Sequence, residues 1–331
     1  MTDKLNHKIF SINAWEFELV ALEVFRFQYE NNLVYRQFVE ALQVNMARVD
    51  SIRTIPFLPI SFFKSHKVMT TEFLPEEVFE SSGTTLAISS HHYVKRLSQY
   101  KESFLKTWKI FYGNPGQYCI IGLLPSYLER KNSSLALMVS ELIAVSEHPQ
   151  SGFYLYEFDK LYTLLRDLEK KGQKTILIGV TFGLLDFAEQ YSLSLNHTII
   201  METGGMKGRR DELTREQVHE FLQERLGVAK VHSEYGMTEL LSQAYSKGEG
   251  IFHCPPWMKV LLREEDDPLK VKNIVDDTSN SGVINIIDLA NIDSCAFIAT
   301  DDVGKLYADG SFEVLGRIDN SDIRGCSLMV V

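Results

Sequence analysis

The hydrophobic and polar positions of the first fifty residues follow a helical period. Apolar side chains three or four positions apart predict a helix over 14–30, and Asn13 with Glu16 three residues later is a typical N-cap signature. The residues of this stripe are Trp15, Leu19, Leu22 and Phe25. A second helix is expected to reach about Val49. The segment 55–65 contains two prolines and is predicted to be a loop packed against the body.

From residue 97 to about 250, helical stripes alternate with short apolar runs. The predicted helices lie at 97–108, 133–146, 161–168, 183–191 and 214–226. The predicted strands lie at 118–126, 175–180, 197–202 and 229–233. Strands that alternate with helices indicate a parallel α/β sheet covered on both faces. Ligands of such sheets bind beyond the carboxyl ends of the strands, where "ETGGMKGRR" and "EYGMTEL" begin.

Beyond about residue 250 the helical period stops, and short apolar runs are separated by Gly, Asp and Asn. This pattern predicts a small antiparallel β lobe. We therefore expect four parts. They are a helical segment packed on the core (1–75), an α/β core (76–249), a small β lobe (250–316) and a hinge-like tail (317–331).

The composition limits the kinds of molecule that the protein is expected to bind. The chain has 331 residues, 45% of them hydrophobic, and a formal net charge of −10, with only short basic clusters. Nucleic acid is therefore not an expected partner, whereas an acidic protein can still hold ATP through local donors and Mg²⁺. Four cysteines far apart in the sequence fit a reducing compartment. We expect no signal peptide and no membrane span, and we predict a cytoplasmic location.

The segment 81–85, "SSGTT", places four hydroxyl groups around one glycine. Glycine lets the backbone approach a ligand closely, successive N–H groups can form a nest for an anion, and the hydroxyls add donors. The segment can therefore hold a phosphate, and a polar turn is the alternative. The familiar signatures GxxxxGK[ST], GxGxxG, HExxH and GxSxG do not occur in the sequence.

Three further segments carry candidate chemistry. In "EYGMTEL", Tyr235 can cover a base and Glu239 can hold a phosphate-bound Mg²⁺, or Thr238 can simply cap a helix after a strand and turn. The paired carboxylates of "ATDDVGKL" can bind ribose hydroxyls or a cation, or they can form a solvated turn. By itself, "LGRIDNSDIRGCSL", which contains Arg317, is a hinge-like loop.

The histidines show no metal-site pattern. His91 and His92 have no Cys or acidic residue at metal-ligand spacing, and we predict that they mark a helix start or a surface feature. The other histidines are scattered along the chain.

The order of the candidate segments is more specific than any one of them. A Ser/Thr/Gly segment, a Gly-Gly loop, Tyr-Gly-x-Thr-Glu, Thr-x-Asp and Gly-Arg-x-Asp follow one another. This order resembles the adenylate-forming (ANL) superfamily. In more detail, "FESSGTT", "ETGGMKGRR", "EYGMTELLSQAYS" and "LGRIDNSDIRGCSL" resemble the LuxE-type acyl-protein synthetases of bacterial luminescence. The resemblance covers nearly the whole chain. It implies the N-terminal domain of an adenylate-forming enzyme, with a layered αβα nucleotide-binding core, a small β lobe and no C-terminal domain.

The resemblance also implies roles for individual residues. The triphosphate of ATP would be bound by Ser81, Ser82, Gly83, Thr84 and Thr85. The rest of the nucleotide would be bound by Gly204, Gly205, Tyr235, Gly236, Thr238, Asp302 and Arg317. Asp302 would hold the ribose hydroxyls with Arg317 nearby, Glu239 would ligate Mg²⁺, and Cys326 would carry the acyl group as a thioester. Cys326, Glu239 and Arg317 would be the catalytic residues. Arg324 beside Cys326 would favour the thiolate, and buried core filler is the alternative for this cysteine.

The chain departs from the superfamily pattern at three places. Leu86 stands where a glycine and then a lysine usually follow the Ser/Thr/Gly segment, and Asp301 replaces the glycine of "TGD". The catalytic lysine of the C-terminal domain has no counterpart in the sequence. The candidate replacements are Lys64, Lys207 and Arg209.

The resemblance implies that the protein is an enzyme of the acyl-protein synthetase type. Such an enzyme would use ATP and Mg²⁺ to convert a carboxylic acid to an acyl-adenylate, and the resemblance implies that the acid is a fatty acid. The acyl group would pass to a cysteine of the protein and then to a reductase-like or carrier partner. Two alternatives stay open. One is a reduced acyl-CoA ligase, and the other is a degenerate nucleotide- or partner-binding module.

Overall fold

The fold is known from a computed structural model. It describes residues 5, 8–81, 88–124, 132–204, 213–265, 267, 269–272 and 280–318. The α-helices are α1 Phe17–Asn31, α2 Leu33–Ala41, α3 Phe62–Ser65, α4 Leu97–Tyr112, α5 Ser134–Ser146, α6 Phe158–Lys170, α7 Thr181–Gln190 and α8 Arg215–Leu226. Short 3₁₀ helices lie at Met46–Arg48, Pro115–Gln117 and Leu289–Asp293.

The strands alternate with the helices through the middle of the chain and follow one another directly at its end. The first seven are β1 Leu58–Pro59, β2 Glu77–Glu80, β3 His91–Val94, β4 Cys119–Leu123, β5 Gly152–Phe153, β6 Thr175–Gly179 and β7 Thr198–Glu202. The others are β8 Val231–Tyr235, β9 Ala244–Ser246, β10 Phe252–His253, β11 Met258–Arg263, β12 Asn280–Asp288, β13 Phe297–Leu306 and β14 Phe312–Arg317.

One mixed sheet runs through the described part of the chain. Its strand order is β11-β12-β13-β14-β10-β9-β8-β7-β6-β4-β5, and β1 pairs in parallel with β13. Strands β4 to β8 are parallel, whereas β9 to β14 pair antiparallel, as predicted from the two hydrophobic patterns. Because β9 and β10 join the two parts, the antiparallel strands continue the central sheet. The domain boundaries at 75, 249 and 316 stay a prediction.

The sheet buries a hydrophobic core on each face, which is the predicted αβα layering. Alternate side chains of β4 enter different cores, with Ile120 on one face and Ile121 on the other. Helices α1, α2, α4 and α5 pack on the first face, and the leucine-rich sides of α6, α7 and α8 pack on the second. The apolar burial on both faces explains why these strands read as continuous apolar runs.

The amino-terminal helix is tied to the antiparallel half by a buried amide. Gln28 Nε2 donates to the carbonyls of Asn291 (2.9 Å) and Ile292 (3.0 Å), and its Oε1 accepts from Ala296 N (2.9 Å). Asn32, between α1 and α2, donates to Ser294 O at 2.8 Å. Helix α1 and its junction with α2 are therefore anchored on a segment more than 250 positions away in sequence.

The predicted stripe of α1 was confirmed at Leu22 and Phe25, which are buried, and was wrong at Trp15 and Leu19. Trp15 is 94% exposed and Leu19 is 56% exposed. The buried face instead consists of Phe17, Val20, Ala21, Leu22, Val24, Phe25 and Gln28. The side chain of Asn13 does accept from the backbone of Glu16, so the predicted cap residues form the turn that precedes the helix.

Three other sequence predictions need correction. The second helix ends at Ala41, before Gln43 adopts a left-handed backbone (φ 54°), and does not reach Val49. The segment 55–65 is packed as predicted but contains β1 and α3. His91 and His92 lie on β3, paired with β2, and His92 is buried, so neither marks a helix start.

The boundaries of α8 agree closely with the sequence. Thr214 and Gln217 form the predicted capping box, and Gly227 ends the helix in the left-handed region (φ 65°). A Cβ on Gly227 would lie 2.8 Å from the backbone of Ser194, so glycine meets both a conformational and a steric requirement there.

Candidate active site

A cavity of about 670 Å³, called here the central cavity, opens at the carboxyl edge of the parallel strands. The ends of β7 and β8 line it on one side, and β13 and β14 line it on another. A second cavity of about 630 Å³ lies at the opposite edge, between α6 and 192–197, and contains none of the predicted site residues.

The central cavity gathers the predicted site residues that the structure describes. Those lining it are Ser81, Gly204, Tyr235, Gly236, Thr238, Glu239, Asp302 and Arg317. Lys64, a candidate replacement for the missing lysine, lines it as well. Outside the described residues lie Ser82, Gly83, Thr84, Thr85, Gly205, Lys207, Arg209 and Cys326.

Tyr235, Asp302 and Arg317 form a hydrogen-bonded group at one wall. Tyr235 donates its hydroxyl to Asp302 Oδ2 at 2.7 Å, and Arg317 Nε donates to Asp302 Oδ1 at 2.9 Å. Asp302 and Arg317 are cross-strand neighbours on β13 and β14. Burial and then the Asp302 charge raise the pKa of Tyr235 well above its ordinary value, so its hydroxyl stays a donor. The geometry fixes the carboxylate that sequence reasoning assigned to ribose.

The segment after β8 is held through its backbone. His92 Nδ1 bonds to Thr238 O at 2.9 Å, and Asn291 Nδ2 donates to Glu239 O at 2.7 Å. Burial lowers the pKa of His92 to about 4, so the ring is neutral at neutral pH. Its Nδ1 then donates to the carbonyl, and Nε2 accepts from Ser294 Oγ at 2.9 Å. His92 thus positions Thr238.

A buried carboxylate anchors the next two residues. Asp288 Oδ2 accepts from the N–H groups of Leu241 and Ser242, both at 2.9 Å, and Asp288 Oδ1 accepts from Ser242 Oγ (2.6 Å) and Ala290 N (3.1 Å). All four donors are buried. Asp288 therefore links the end of the "YGMTEL" segment to β12.

Glu239 is a buried carboxyl on the cavity wall. Burial raises its pKa above the ordinary value, while the Ser90 hydroxyl and the charges of Arg317 and Lys64 act in the opposite direction. Mg²⁺ commonly binds one or two carboxylates together with substrate phosphates. In the described part of the chain, no cluster of three or more His, Cys, Asp or Glu side chains could hold a metal. Glu239 therefore fits a phosphate-bound Mg²⁺ and not an all-protein cage.

Glu202 shapes the loop that follows β7. Its carboxylate accepts from Gly204 N at 2.8 Å and from Thr181 Oγ1 at 3.0 Å. Burial opposes ionisation, but hydrogen bonding from His219, the charge of Arg215 and the Gly204 N–H outweigh it and lower the pKa of Glu202 to about 2. Gly204 has φ +69°, a left-handed conformation that favours glycine.

Glu234, the residue before Tyr235, is a second carboxyl group in the cavity. Burial, and then the neighbouring charge of Glu202, raises the pKa of Glu234 to about 8. No hydrogen bond or positive charge among the described residues offsets this rise. Sequence reasoning missed Glu234. The available signal was a charged residue in a buried strand immediately before a binding motif.

We expect Glu234→Gln to stabilise the protein increasingly as pH rises. Between pH 4.5 and about 8 the unfolded chain ionises at Glu234 while the folded chain keeps the proton, so the wild-type free energy of unfolding falls across this window. Glutamine does not titrate. The variant should gain about 1–3 kcal/mol at pH 8 relative to pH 4.5. Urea denaturation at both pH values measures this gain, and a pH-independent difference would contradict the assignment.

The fold and the site together define a class of protein. ATP-bound MatB from Rhodopseudomonas palustris has a TM-score of 0.54 and 17% identity over 72% of this chain and 47% of its own chain. A 2-hydroxyisobutyryl-CoA ligase in the postadenylation state has a TM-score of 0.63 and 12% identity, over 94% and 70%. A long-chain-fatty-acid-CoA ligase from Archaeoglobus fulgidus has a TM-score of 0.51 and 13% identity, over 73% and 51%. The fold is therefore that of the adenylate-forming ligases.

The family is defined more closely by sequence. A family model described as acyl-protein synthetase, LuxE, matches residues 14–331. The chain belongs to this LuxE acyl-protein synthetase family, as the order of its motifs predicted. No curated protein sequence matches it. The chain spans about half the length of MatB. In the part of the chain that the structure describes, no helix combines the length and hydrophobicity of a membrane span.

Proposed function

We propose that the protein activates a carboxylic acid with ATP in the central cavity. A carboxylate oxygen of the acid attacks the α-phosphorus of ATP, the bond from that phosphorus to the bridging β-phosphate oxygen breaks, and pyrophosphate leaves with the electron pair. The product is an acyl-adenylate. The observation that supports this most strongly is the convergence of the Tyr235–Asp302–Arg317 group and the Glu239 carboxyl on one cavity in a chain of the LuxE family.

The described residues supply binding and charge. Asp302, held by Tyr235 and Arg317, is available for the ribose hydroxyls of the nucleotide. Glu239 would hold Mg²⁺, which when bound neutralises charge on phosphate oxygens. Lys64 adds a positive charge to the same cavity and is our candidate for the missing lysine. Such fixed donors and charges are the usual means of catalysing phosphoryl-centred transfer.

The second step of the proposal is acyl transfer to a thiol. A thiolate attacks the acyl carbon, the carbon–oxygen bond to AMP breaks, and a thioester and AMP result. Burial raises the pKa of Cys119 to about 11 and that of Cys254 and Cys295 to about 12, so these thiols supply little thiolate at neutral pH. The LuxE resemblance assigns the acceptor role to Cys326, and the raised pKa values of the other thiols support that assignment. We propose that the reaction takes place in the cytoplasm and that the acyl group then passes to a partner protein.

Acid-dependent exchange of labelled pyrophosphate into ATP tests the first step. We expect exchange with at least one acid of a panel of fatty and other carboxylic acids. Lack of exchange with every acid would favour a binding module without catalysis. If added CoA gives a stoichiometric acyl-CoA product, the reduced acyl-CoA ligase is the better description.

Intact mass spectrometry tests the second step. After incubation with ATP, Mg²⁺ and a productive acid, we expect a hydroxylamine-labile acyl adduct on the wild type and on the control Cys254→Ser, but not on Cys326→Ser. Pyrophosphate exchange should persist in all three proteins, because adenylation does not use the thiol. An adduct that remains in Cys326→Ser would exclude Cys326 as the acceptor.

A further inference from the structure

A buried amide in the central cavity has no partner. Gln243, between the "YGMTEL" segment and β9, is 4% exposed and lines the cavity. Its buried Oε1 forms no hydrogen bond in the described part of the chain. An unpaired buried polar atom of this kind is costly, and it calls for an explanation such as a ligand.

The side chain of Glu234 lies near that of Gln243, beside Gly236. A Cβ placed on Gly236 would lie 2.4 Å from Glu234 Oε1 and 3.4 Å from Gln243 Cγ. Because Gly236 has no side chain, there is room beside it for the side chains of Glu234 and Gln243. Glu234 and Gln243 both line the cavity, and among the described residues the buried Gln243 Oε1 accepts no hydrogen bond. An unpaired amide oxygen and a neighbouring carboxyl group thus face one cavity.

Part of the cavity wall is apolar. Tyr100, Leu135 and Met138 belong to this part. Glu234 is the cross-strand neighbour of Tyr245, whose ring packs edge-on against Trp108. Side chains of consecutive strand residues point to opposite faces, so Glu234 leaves β8 on the other side from Tyr235 and its Asp302 partner. The wall suits the carbon chain of an acid better than the ribose or phosphates of a nucleotide.

We propose that Glu234 and Gln243 form a polar subsite for a hydroxyl group carried on the chain of the acid substrate. This inference rests on the proposed function and adds a substrate class, the hydroxy acids. A hydroxyl both donates and accepts, so it can pair with the Gln243 amide in either orientation and with the Glu234 carboxyl group.

The ionisation of Glu234 supports a neutral ligand. Its pKa of about 8 keeps the carboxyl protonated at neutral pH, and it can then donate to a hydroxyl oxygen. The titratable groups that act on it are Glu202 from β7 and the phenols of Tyr100, Tyr112 and Tyr245, which stay neutral. The negative charge of Glu202 is already balanced by Arg215. Because Arg215 already pairs with Glu202, an ammonium group would find no unpaired carboxylate beside Gln243 unless Glu234 first lost its proton.

The test compares acids of equal length, each unsubstituted, hydroxylated at varied positions, or amino-substituted. With the wild type we expect pyrophosphate exchange to favour one hydroxy acid over its unsubstituted counterpart by roughly ten- to hundredfold in kcat/KM. Gln243→Met and Glu234→Leu should reduce this preference to about threefold or less, with the KM for ATP unchanged. Glu234→Gln, which keeps a neutral donor, should retain it. Glu220→Gln, on the exposed side of α8, is the matched control.

Three results would overturn the subsite. The wild type could use unsubstituted and hydroxylated acids equally well, or it could prefer the amino-substituted acids. In the third, Gln243→Met or Glu234→Leu would raise the KM for ATP by as large a factor as it changes the kinetic constants for the acid. Thermal stabilisation by each acid with a non-hydrolysable ATP analogue measures binding without chemistry. If exchange fails with every acid but a hydroxy acid still stabilises the wild type and not Gln243→Met, the subsite stands and the proposed reaction falls.

Discussion

Glu239→Gln is expected to reduce acid-dependent pyrophosphate exchange by about 30- to 1000-fold, equivalent to roughly 2–4 kcal/mol of transition-state stabilisation. The amide is nearly isosteric but carries no charge, so it is a poor ligand for a phosphate-bound Mg²⁺. The loss should be smaller for the binding of ATP alone, because charge on the phosphates increases in the transition state.

The fold of this variant should be unimpaired. Burial already disfavours the ionised form of Glu239, so replacing it with a neutral group removes a cost to folding, and the melting temperature should stay the same or rise. Glu220→Gln makes the same chemical change on the exposed side of α8 and should leave exchange unaffected. Exchange by Glu239→Gln at the wild-type rate would remove Glu239 from the metal site.

Asp288→Ala is expected to lower the free energy of unfolding by about 3–5 kcal/mol. The substitution leaves the buried N–H groups of Leu241, Ser242 and Ala290 without their acceptor, and each unsatisfied buried donor costs roughly 1–3 kcal/mol. The loss is less than the sum, because removing the carboxyl also removes a buried charge whose pKa burial raises to about 6.

The matched control is Asp309→Ala. Asp309 accepts from the backbone and hydroxyl of Ser311 but lies in an exposed turn, so its removal should cost only about 0.5–1 kcal/mol. Asp288→Asn keeps one acceptor oxygen and should fall between wild type and Asp288→Ala. Urea denaturation measures all three. A cost for Asp288→Ala no larger than that for Asp309→Ala would mean that the buried donors find other partners.

Local patterns predicted four of the five parallel strands β4 to β8 and missed the two-residue strand β5. Strands β4, β6 and β7 are buried on both faces and therefore appear as apolar runs, and the ends of α8 are marked by its capping box and Gly227. Trp15 and Leu19 were wrongly included in the buried stripe of α1 because they are apolar but exposed, which periodicity cannot distinguish. The junction through β9 and β10 depends on pairing between short strands, for which the sequence carries little signal.

The motifs predicted which residues face the cavity but not what holds them. Tyr235, Glu239, Asp302 and Arg317 line one cavity, although their roles in catalysis stay proposals. His92 was misjudged because its partner, Thr238 O, is 146 positions away in sequence. Such side-chain bonds to backbone carbonyls have no local pattern. The unpaired state of Gln243 likewise appears only when the whole surroundings of the side chain are known.

The anchoring of α1 on the 291–296 segment has a consequence for synthesis at the ribosome. The backbone groups that satisfy the buried amides of Gln28 and Asn32 are synthesised more than 250 residues after these two side chains. Strand β1 likewise cannot pair until β13 has been synthesised. The nascent amino-terminal segment therefore cannot pack completely before the 291–296 segment is synthesised. Side chains that are buried in the folded protein, such as Phe17 and Phe25, stay exposed to solvent until then. Holdase chaperones can bind this amino-terminal segment in the meantime, and its protection from proteolysis should arise only after residues 291–296 have been synthesised.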